Sequence, residues 1–260
     1  MKIYFLGTCC GTEPMKERNH VSTAIESNGR VYFFDAGEGC AKTAHLAGCD
    51  LLSCGKIVIS HSHGDHVCGL GGLLWHMYKL TRVAGQHKQG HLDVYTPCME
   101  TWEGQMMIMR NTEFGFRTPY TVEGHYMTEG LVFDDGVMRV TAFPNTHMIK
   151  ARMQGENDPC LSYSFLIEVE GKRIVYSGDV GGAHELDAPI GEKCDALIVE
   201  TGHFSVEDIR DYVADKNVER VFFTHNSRAI INDYETCKAN VFEYFGENGT
   251  ICNDGMVVEF

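Results

Sequence analysis

The chain has 260 residues, 43% hydrophobic and 22% charged, a composition that fits a folded globular protein and not a disordered or fibrous one. Its formal net charge of −14 argues against a broad nucleic-acid surface, because a phosphate backbone needs a basic one. No stretch approaches the ~20 apolar residues of a membrane span, and eleven cysteines without a C-x-x-C pair read as reduced thiols of a cytoplasmic protein.

Residues 2–8 read as a strand ending near Gly7, too short an apolar run for a signal peptide. A polar loop follows over 9–20, with Pro14. Residues 21–27 and 30–34 predict a hairpin across Asn28-Gly29, the strongest short hairpin signal. The glycine-rich turn Asp35-Ala36-Gly37-Glu38-Gly39 closes it, and a helix is expected over 40–47. Residues 56–60 form an apolar, β-branched run that reads as a buried strand. It leads into His61-Ser62-His63-Gly64-Asp65-His66, and a helix is expected from Val67 to Trp75.

Beyond that helix the pattern weakens. Residues 81–90 read as loop, 91–95 as a strand, 99–111 as a helix with three methionines, and 114–127 as irregular. Met106, Met107 and Met109 suit a core or a dimer surface. A strand is expected over 137–143, and a second hairpin over 161–168 and 172–176 across Glu170-Gly171. Buried strands are expected at 196–200 and 218–224, helices at 205–215, capped by Ser205, and at 234–245, and a closing hairpin over 250–260. Two echoes point to related halves: Ala24-Ile25-Glu26 with Leu166-Ile167-Glu168, and Ile57-Val58-Ile59-Ser60-His61 with Val221-Phe222-Phe223-Thr224-His225. No break in composition separates them, so residues 1–260 are expected to form one domain.

Three imidazoles and a carboxylate within six residues at the end of a buried strand are costly to desolvate unless something binds them. In extended chain, positions two apart point the same way, so His61 and His63 can close on one ion. Gly64 lets the chain turn, which brings Asp65 and His66 to a second ion. His147, Asp179 and His225 each follow a predicted strand and complete a two-metal set. In this reading His61, His63 and His147 hold one ion, Asp65, His66 and His225 the other, and Asp179 bridges them. Imidazole and carboxylate without thiolate favour zinc, with manganese or iron as substitutes. A dinuclear site of this kind makes hydroxide at neutral pH, so hydrolysis is the expected reaction. Asp35 is placed to hydrogen-bond a ligand imidazole from behind.

At these residues the chain resembles the metallo-β-lactamase superfamily, whose signature loop is His-x-His-x-Asp-His. The resemblance implies an α/β fold, a four-layer αββα sandwich of two related halves. Residues 14–19, Phe34-Asp35-Ala36-Gly37-Glu38-Gly39 and the run Gly64-Asp65-His66-Val67-Cys68-Gly69-Leu70-Gly71-Gly72-Leu73-Leu74 are similar to the phosphodiesterase branch, which includes ribonuclease Z and small cyclic-phosphate phosphodiesterases. The interval between His147 and Asp179 is too short for the arm with which ribonuclease Z grips its substrate; with the acidic charge, that argues against tRNA. Where ribonuclease Z carries His-Glu-Ala-Thr, this chain reads Glu200-Thr201-Gly202-His203-Phe204. His203 resembles the histidine that phosphonate-pathway cyclic phosphodiesterases place there, which implies a general acid, and Asp65 is both ligand and proton acceptor. The remaining histidines, His91 and His125 among them, read as structural or surface residues, with His76 a candidate neighbour of the site.

The expected function is therefore a metal-dependent hydrolase of a small phosphodiester or cyclic phosphate. A lactone, thioester or β-lactam hydrolase is the alternative. A di-iron oxidoreductase and a non-enzymatic binding module stand further back. Relatives of this kind are often homodimers.

Overall fold

In the computed structural model, which describes residues 1–12, 15–86, 88, 90–110, 118–155 and 158–260, the first strand, β1 (Lys2–Gly7), pairs antiparallel with β2 (Ser22–Ser27). Pro14, His87 and the beginning of the irregular stretch over 114–127 lie outside these residues. β2 turns into β3 (Arg30–Phe34) through Asn28 and Gly29, both with left-handed backbone (φ 49° and 69°), and Ser27 faces Arg30. That is the turn geometry the twist of a two-residue hairpin requires. β4 (Cys54–Val58), β5 (His91–Thr96) and β6 (Thr121–Tyr126) then add in parallel.

By its contacts the chain divides into two compact units. One comprises Met1–Gly7, Lys16–Met127 and Asp254–Phe260; the other comprises Thr8–Met15 and Thr128–Asn253. Each holds one seven-stranded mixed sheet. The second unit's sheet runs through β7 (Gly130–Asp134), β8 (Met138–Pro144), β9 (Tyr163–Val169), β10 (Lys172–Tyr176), β11 (Ala196–Thr201), β12 (Val221–Asn226) and β13 (Gly249–Ile251). Its first three pairings are antiparallel and its last three parallel. The first unit repeats this series, beginning at β14 (Met256–Glu259) beside β1.

Three differences from the sequence reading have physical causes. Thr121–Tyr126 is a strand despite lacking apolar alternation, because it is a sheet edge whose register β5 supplies. The tail over 250–260 is not a hairpin: β13 pairs with β12 and β14 with β1, so the turn at Asn253-Asp254-Gly255 joins two sheets. The helix after the histidine loop runs on to Arg82, after a short turn at Gly64–Val67.

The helix Leu70–Arg82 buries Leu70, Leu73, Leu74, Met77, Tyr78 and Thr81, a stripe at helical spacing. The stripe packs with Leu6, Phe33, Ile57 and Val94 of the first sheet. Each fully buried leucine there contributes roughly 1.5–3 kcal/mol. Met106 and Met109 join this core, whereas Met107 is exposed. In the second unit, Val206, Ile209 and Val213 of the helix Val206–Val213 and Val241 of the helix Tyr234–Phe245 cover Leu197, Val199, Val221 and Phe223. Ser205 caps the former helix, accepting from the Asp208 amide at 3.1 Å. All eleven cysteines are thiols, none in a disulfide. Among the described residues no helix is long and apolar enough to cross a membrane.

Candidate metal centre

In both units the polar residues of interest sit at the carboxyl ends of strands, where an open α/β sheet presents loops to a ligand. In the first unit β4 ends at Val58, the chain bends at Ser60, and it is extended at His63 (φ −64°, ψ 147°). His61 and His63 consequently turn to the same side, with His61 Nε2 3.0 Å from His63 Nδ1. The Gly64–Val67 turn then folds His66 back, so that its ring lies 4.0 Å from that of His61, and His66 Nε2 stands 3.5 Å from Asp65 Oδ2.

Asp35 anchors the loop from beneath. Its fully buried carboxylate accepts from the Ser60 amide at 2.7 Å and the Ser60 hydroxyl at 2.8 Å, and lies 2.8 Å from His66 Nδ1. This partner commits Nδ1 of His66 to the carboxylate and turns Nε2 toward Asp65. Ser60 Oγ also lies 3.0 Å from His61 Nδ1. Asp35 has a left-handed backbone (φ 59°), a conformation that Asp tolerates better than most residues. The turn behind it fits only because Gly69 lacks a side chain, since a Cβ there would lie 2.0 Å from the Gly37 carbonyl oxygen.

In the second unit, His147 opens the short helix after β8, Asp179 follows β10, Glu200 lies near the end of β11, and His225 lies in β12. All four are buried. Asp179 divides its oxygens: Oδ2 is 3.6 Å from His147 Nε2, and Oδ1 is 3.4 Å from His225 Nε2. His225 is held at φ 49°, and the next residue's amide donates to the Thr8 carbonyl at 2.6 Å. Gly202 lies so close that a Cβ on it would come within 2.5 Å of His225 Nδ1.

His203 sits on this cluster as a half-exposed side chain. Its Nδ1 is 2.8 Å from Glu200 Oε2 and 4.0 Å from Asp179 Oδ2. The bond to Glu200 raises the imidazole above its ordinary value, and burial only partly opposes it. Burial and the charge of Asp179 push the Glu200 carboxyl up, but hydrogen bonding from His203 and His225 brings it below its usual range. Glu200 also accepts from the Val180 amide at 3.0 Å. Sequence reasoning quoted Glu200 only as a neighbour of His203. Its signal was a carboxylate at the end of an otherwise wholly apolar strand. Beside His203 lies a cavity of about 350 Å³, lined by Phe204, Glu207, Ile230, Asp233 and Asn240 among others.

The donors fit divalent cations. Zinc–nitrogen and zinc–oxygen bonds of about 2.0–2.2 Å put neighbouring ligands of a tetrahedral ion about 3.4 Å apart. The spacings from Asp179 to His147 and His225, and from Asp65 to His66, are of that size and too long for good hydrogen bonds. Of the expected residues, the structure gathers His61, His63, Asp65 and His66 within the first unit, and His147, Asp179, His203 and His225 within the second.

Comparison with known proteins agrees with this fold. The family model described as "Anti-Pycsar protein Apyc1" matches residues 1–209. Ribonuclease Z of Methanothermobacter thermautotrophicus is 32% identical over 149 residues, covering 57% of this chain and 45% of the relative. Ribonuclease Z of Archaeoglobus fulgidus is 24% identical over 310 aligned residues, covering 99% and 97%. The match thus spans about half the length of the Methanothermobacter relative. The crystal structure of human tRNase Z, short form, superposes with a TM-score of 0.74 at 22% identity, covering 100% of this chain and 99% of that one. The metallo-β-lactamase fold protein YhfI from Bacillus subtilis does so with 0.71 at 18%, covering 99% of each. These likenesses show the metallo-β-lactamase fold. Relatives named ribonuclease Z lend no support to the expectation that tRNA is excluded.

Proposed function

The chain belongs to the Anti-Pycsar protein Apyc1 family, within the metallo-β-lactamase superfamily and with ribonuclease Z relatives, and from that premise we propose that it is a metal-dependent phosphodiesterase acting on a small phosphodiester or cyclic phosphate. In this proposal residues 1–260 work as a single hydrolase domain, and the two clusters serve one pair of divalent cations, zinc first, with manganese or iron as substitutes. His61, His63 and His147 would hold one ion, Asp65, His66 and His225 the other, and Asp179 both. When bound, such cations supply Lewis acidity toward a phosphoryl oxygen and lower the pKa of water.

The protein's own residues supply the rest. Asp65, 11% exposed at its side chain, would accept a proton from the attacking water. His203, protonated more readily because Glu200 holds its Nδ1, would donate a proton from its other nitrogen to the departing oxygen. Asp35 and Ser60 keep the loop imidazoles in one orientation, so little reorganisation remains for the reaction itself. The observation that carries the proposal is the His203–Glu200 pair standing 4.0 Å from Asp179, a proton donor beside a metal-type carboxylate. The cavity beside His203 also favours a small substrate. Its volume is at the low end for a ligand pocket, and Glu207 and Asp233 in its wall would repel a phosphate and admit an uncharged group.

Kinetics on bis(p-nitrophenyl) phosphate, a panel of cyclic phosphates, a lactone, a thioester and a tRNA precursor test this reading. Turnover of the phosphodiesters, abolished in Asp179→Ala, is the expected result. Turnover of the lactone or thioester alone would replace it with the carboxyl-substrate reading. The ribonuclease Z relatives favour one other reading, RNA processing, and cleavage of the tRNA precursor alone would establish it.

A further inference from the structure

On the edge of the first sheet, β5 and β6 run in parallel with Asp93 opposite Glu123 and Tyr95 opposite His125, and Lys56 of β4 lies opposite Asp93. Side chains two apart on a strand share a face. His91, Asp93 and Tyr95 therefore stand with Glu123 and His125, on the side away from Leu92 and Val94, which enter the helix-covered core. Asp93 is 5% exposed. Its Oδ2 accepts from Lys56 Nζ at 2.9 Å and lies 3.4 Å from His91 Nε2; its Oδ1 lies 2.8 Å from His125 Nε2. The Tyr95 ring stacks on the His125 imidazole, with centroids 4.9 Å apart and planes at 25°. One donor atom from each of Asp93, Glu123 and His125 lies within 4.8 Å of the others.

We infer that Asp93, Glu123 and His125 form a second divalent-cation site, separate from the histidine-loop centre and suited to zinc. One imidazole and two carboxylates are a zinc-type donor set, with water to complete the four. Lys56 holds Oδ2 of Asp93 and the Tyr95 ring stacks on His125, so both ligands have fixed partners, and an entering ion would replace the 2.8 Å Asp93–His125 hydrogen bond. Outer partners play that part around metal ligands. Charge points the same way. The two carboxylates carry two negative charges, of which Lys56 offsets one, so with His125 neutral a dication meets a site that is still negative. Exposed Glu123 is free in rotamer to close the last ångström. In sequence the pattern is Asp93-x-Tyr95 on one strand and Glu123-x-His125 on its neighbour, legible only once the two are known to pair.

Zinc titration of the chelator-stripped full chain, followed by calorimetry and by metal analysis after desalting, tests the inference against Glu123→Gln, His125→Asn and the double variant. Histidine-resolved NMR of the parent follows the His125 ring through the same titration. The expected result is one zinc equivalent fewer in the double variant, at least tenfold weaker binding of that equivalent in Glu123→Gln, a zinc-dependent shift of the His125 signals, and unchanged hydrolysis of phosphodiester. If the double variant keeps the parent's zinc count, or zinc leaves the His125 signals unmoved, the cluster is an ion-paired network only and the inference is overturned.

Discussion

Replacing Asp35 by Asn should cost the histidine loop its metal affinity while leaving its shape nearly intact. Asn tolerates the left-handed backbone that Asp35 adopts, so the change isolates the carboxylate from the turn. Three groups donate to Asp35 in the working state: the Ser60 amide, the Ser60 hydroxyl and His66 Nδ1–H. An amide has one acceptor oxygen. Kept on the Ser60 amide, it turns its NH₂ toward His66 Nδ1 and forces that nitrogen to accept. The proton then moves to Nε2, and His66 no longer offers a lone pair there. Loss of an outer partner of this kind costs about 10–100-fold in metal affinity, which is roughly 1.4–2.7 kcal/mol. Loss of the charge-assisted bonds should also destabilise the metal-stripped protein by about 1–3 kcal/mol. Competition of zinc against a chelator of known affinity measures the first figure, and denaturant unfolding in chelator measures the second. Unchanged zinc affinity together with an unchanged His66 tautomer by NMR would refute the reasoning, since the carboxylate would then not select the ligating nitrogen.

His203→Asn should lower kcat on a phosphodiester by about 10²–10⁴-fold with little change in bound metal, and a change confined to KM would count against proton donation. Gly202→Ala must displace His225, whose Nδ1 would lie 2.5 Å from the new Cβ, so activity should fall on the order of 10²-fold. Melting curves and zinc counts equal to the parent's would show that the site absorbs the methyl. Asp195 is an acid-sensitive carboxylate of the second unit. Burial pushes it up, but hydrogen bonds from Lys193, the Arg173 amide and Lys172 outweigh burial and hold it at about 2. Because its folded value is depressed, its stabilisation is complete above pH ~4 and disappears as pH falls toward 2. The full shift corresponds to roughly 2.5 kcal/mol, discounted to about 1 kcal/mol because the lysine partners lie largely in solvent. Denaturant midpoints of wild type and Asp195→Asn should therefore differ at pH 6 and converge below pH 3; a constant difference would sink the assignment.

The parts of the fold visible in sequence are those set by local rules. Asn28-Gly29 and Glu170-Gly171 mark two-residue turns whose left-handed angles the structure shows, and both hairpins fall where expected. His61 and His63 face one way because extended chain has a period of two, and Gly64 allows the turn that returns His66. Non-local matters were hidden. Val122 is the lone aliphatic residue of β6, so nothing in Thr121–Tyr126 announces a strand until β5 lies beside it. The turn at Asn253-Asp254-Gly255 was legible, but no local feature says that its flanking strands join different sheets. His125 reads only as a structural or surface histidine for the same reason, because its partner Asp93 lies on another strand.

The internal repeat shows how sequence likeness and topology can part. The hairpin echo is sound, with β2 and β3 corresponding to β9 and β10 in pairing and position. The second echo matched β4 to β12, whereas the order of pairings matches β4 to β11, the strand that follows the hairpin in each sheet. Parallel strands buried on both faces all read as apolar runs, so their composition cannot tell a first neighbour from a second. Correct alignment changes the chemistry. The equivalent of Asp35, which directly follows β3, is Ser177, which directly follows β10: the Asp35 amide donates to the Val58 carbonyl as the Ser177 amide does to that of Ile198, and the equivalent of Ser60 is Glu200. In each unit the side chain after the hairpin accepts from the amide of its partner, Asp35 from Ser60 and Ser177 from Glu200; in the first it also holds an imidazole, that of His66, and in the second Glu200 itself holds that of His203. A repeated scaffold thus uses the same strand ends for different tasks. Glu200, a carboxylate that nothing in the sequence marks, thereby raises the proton affinity of His203.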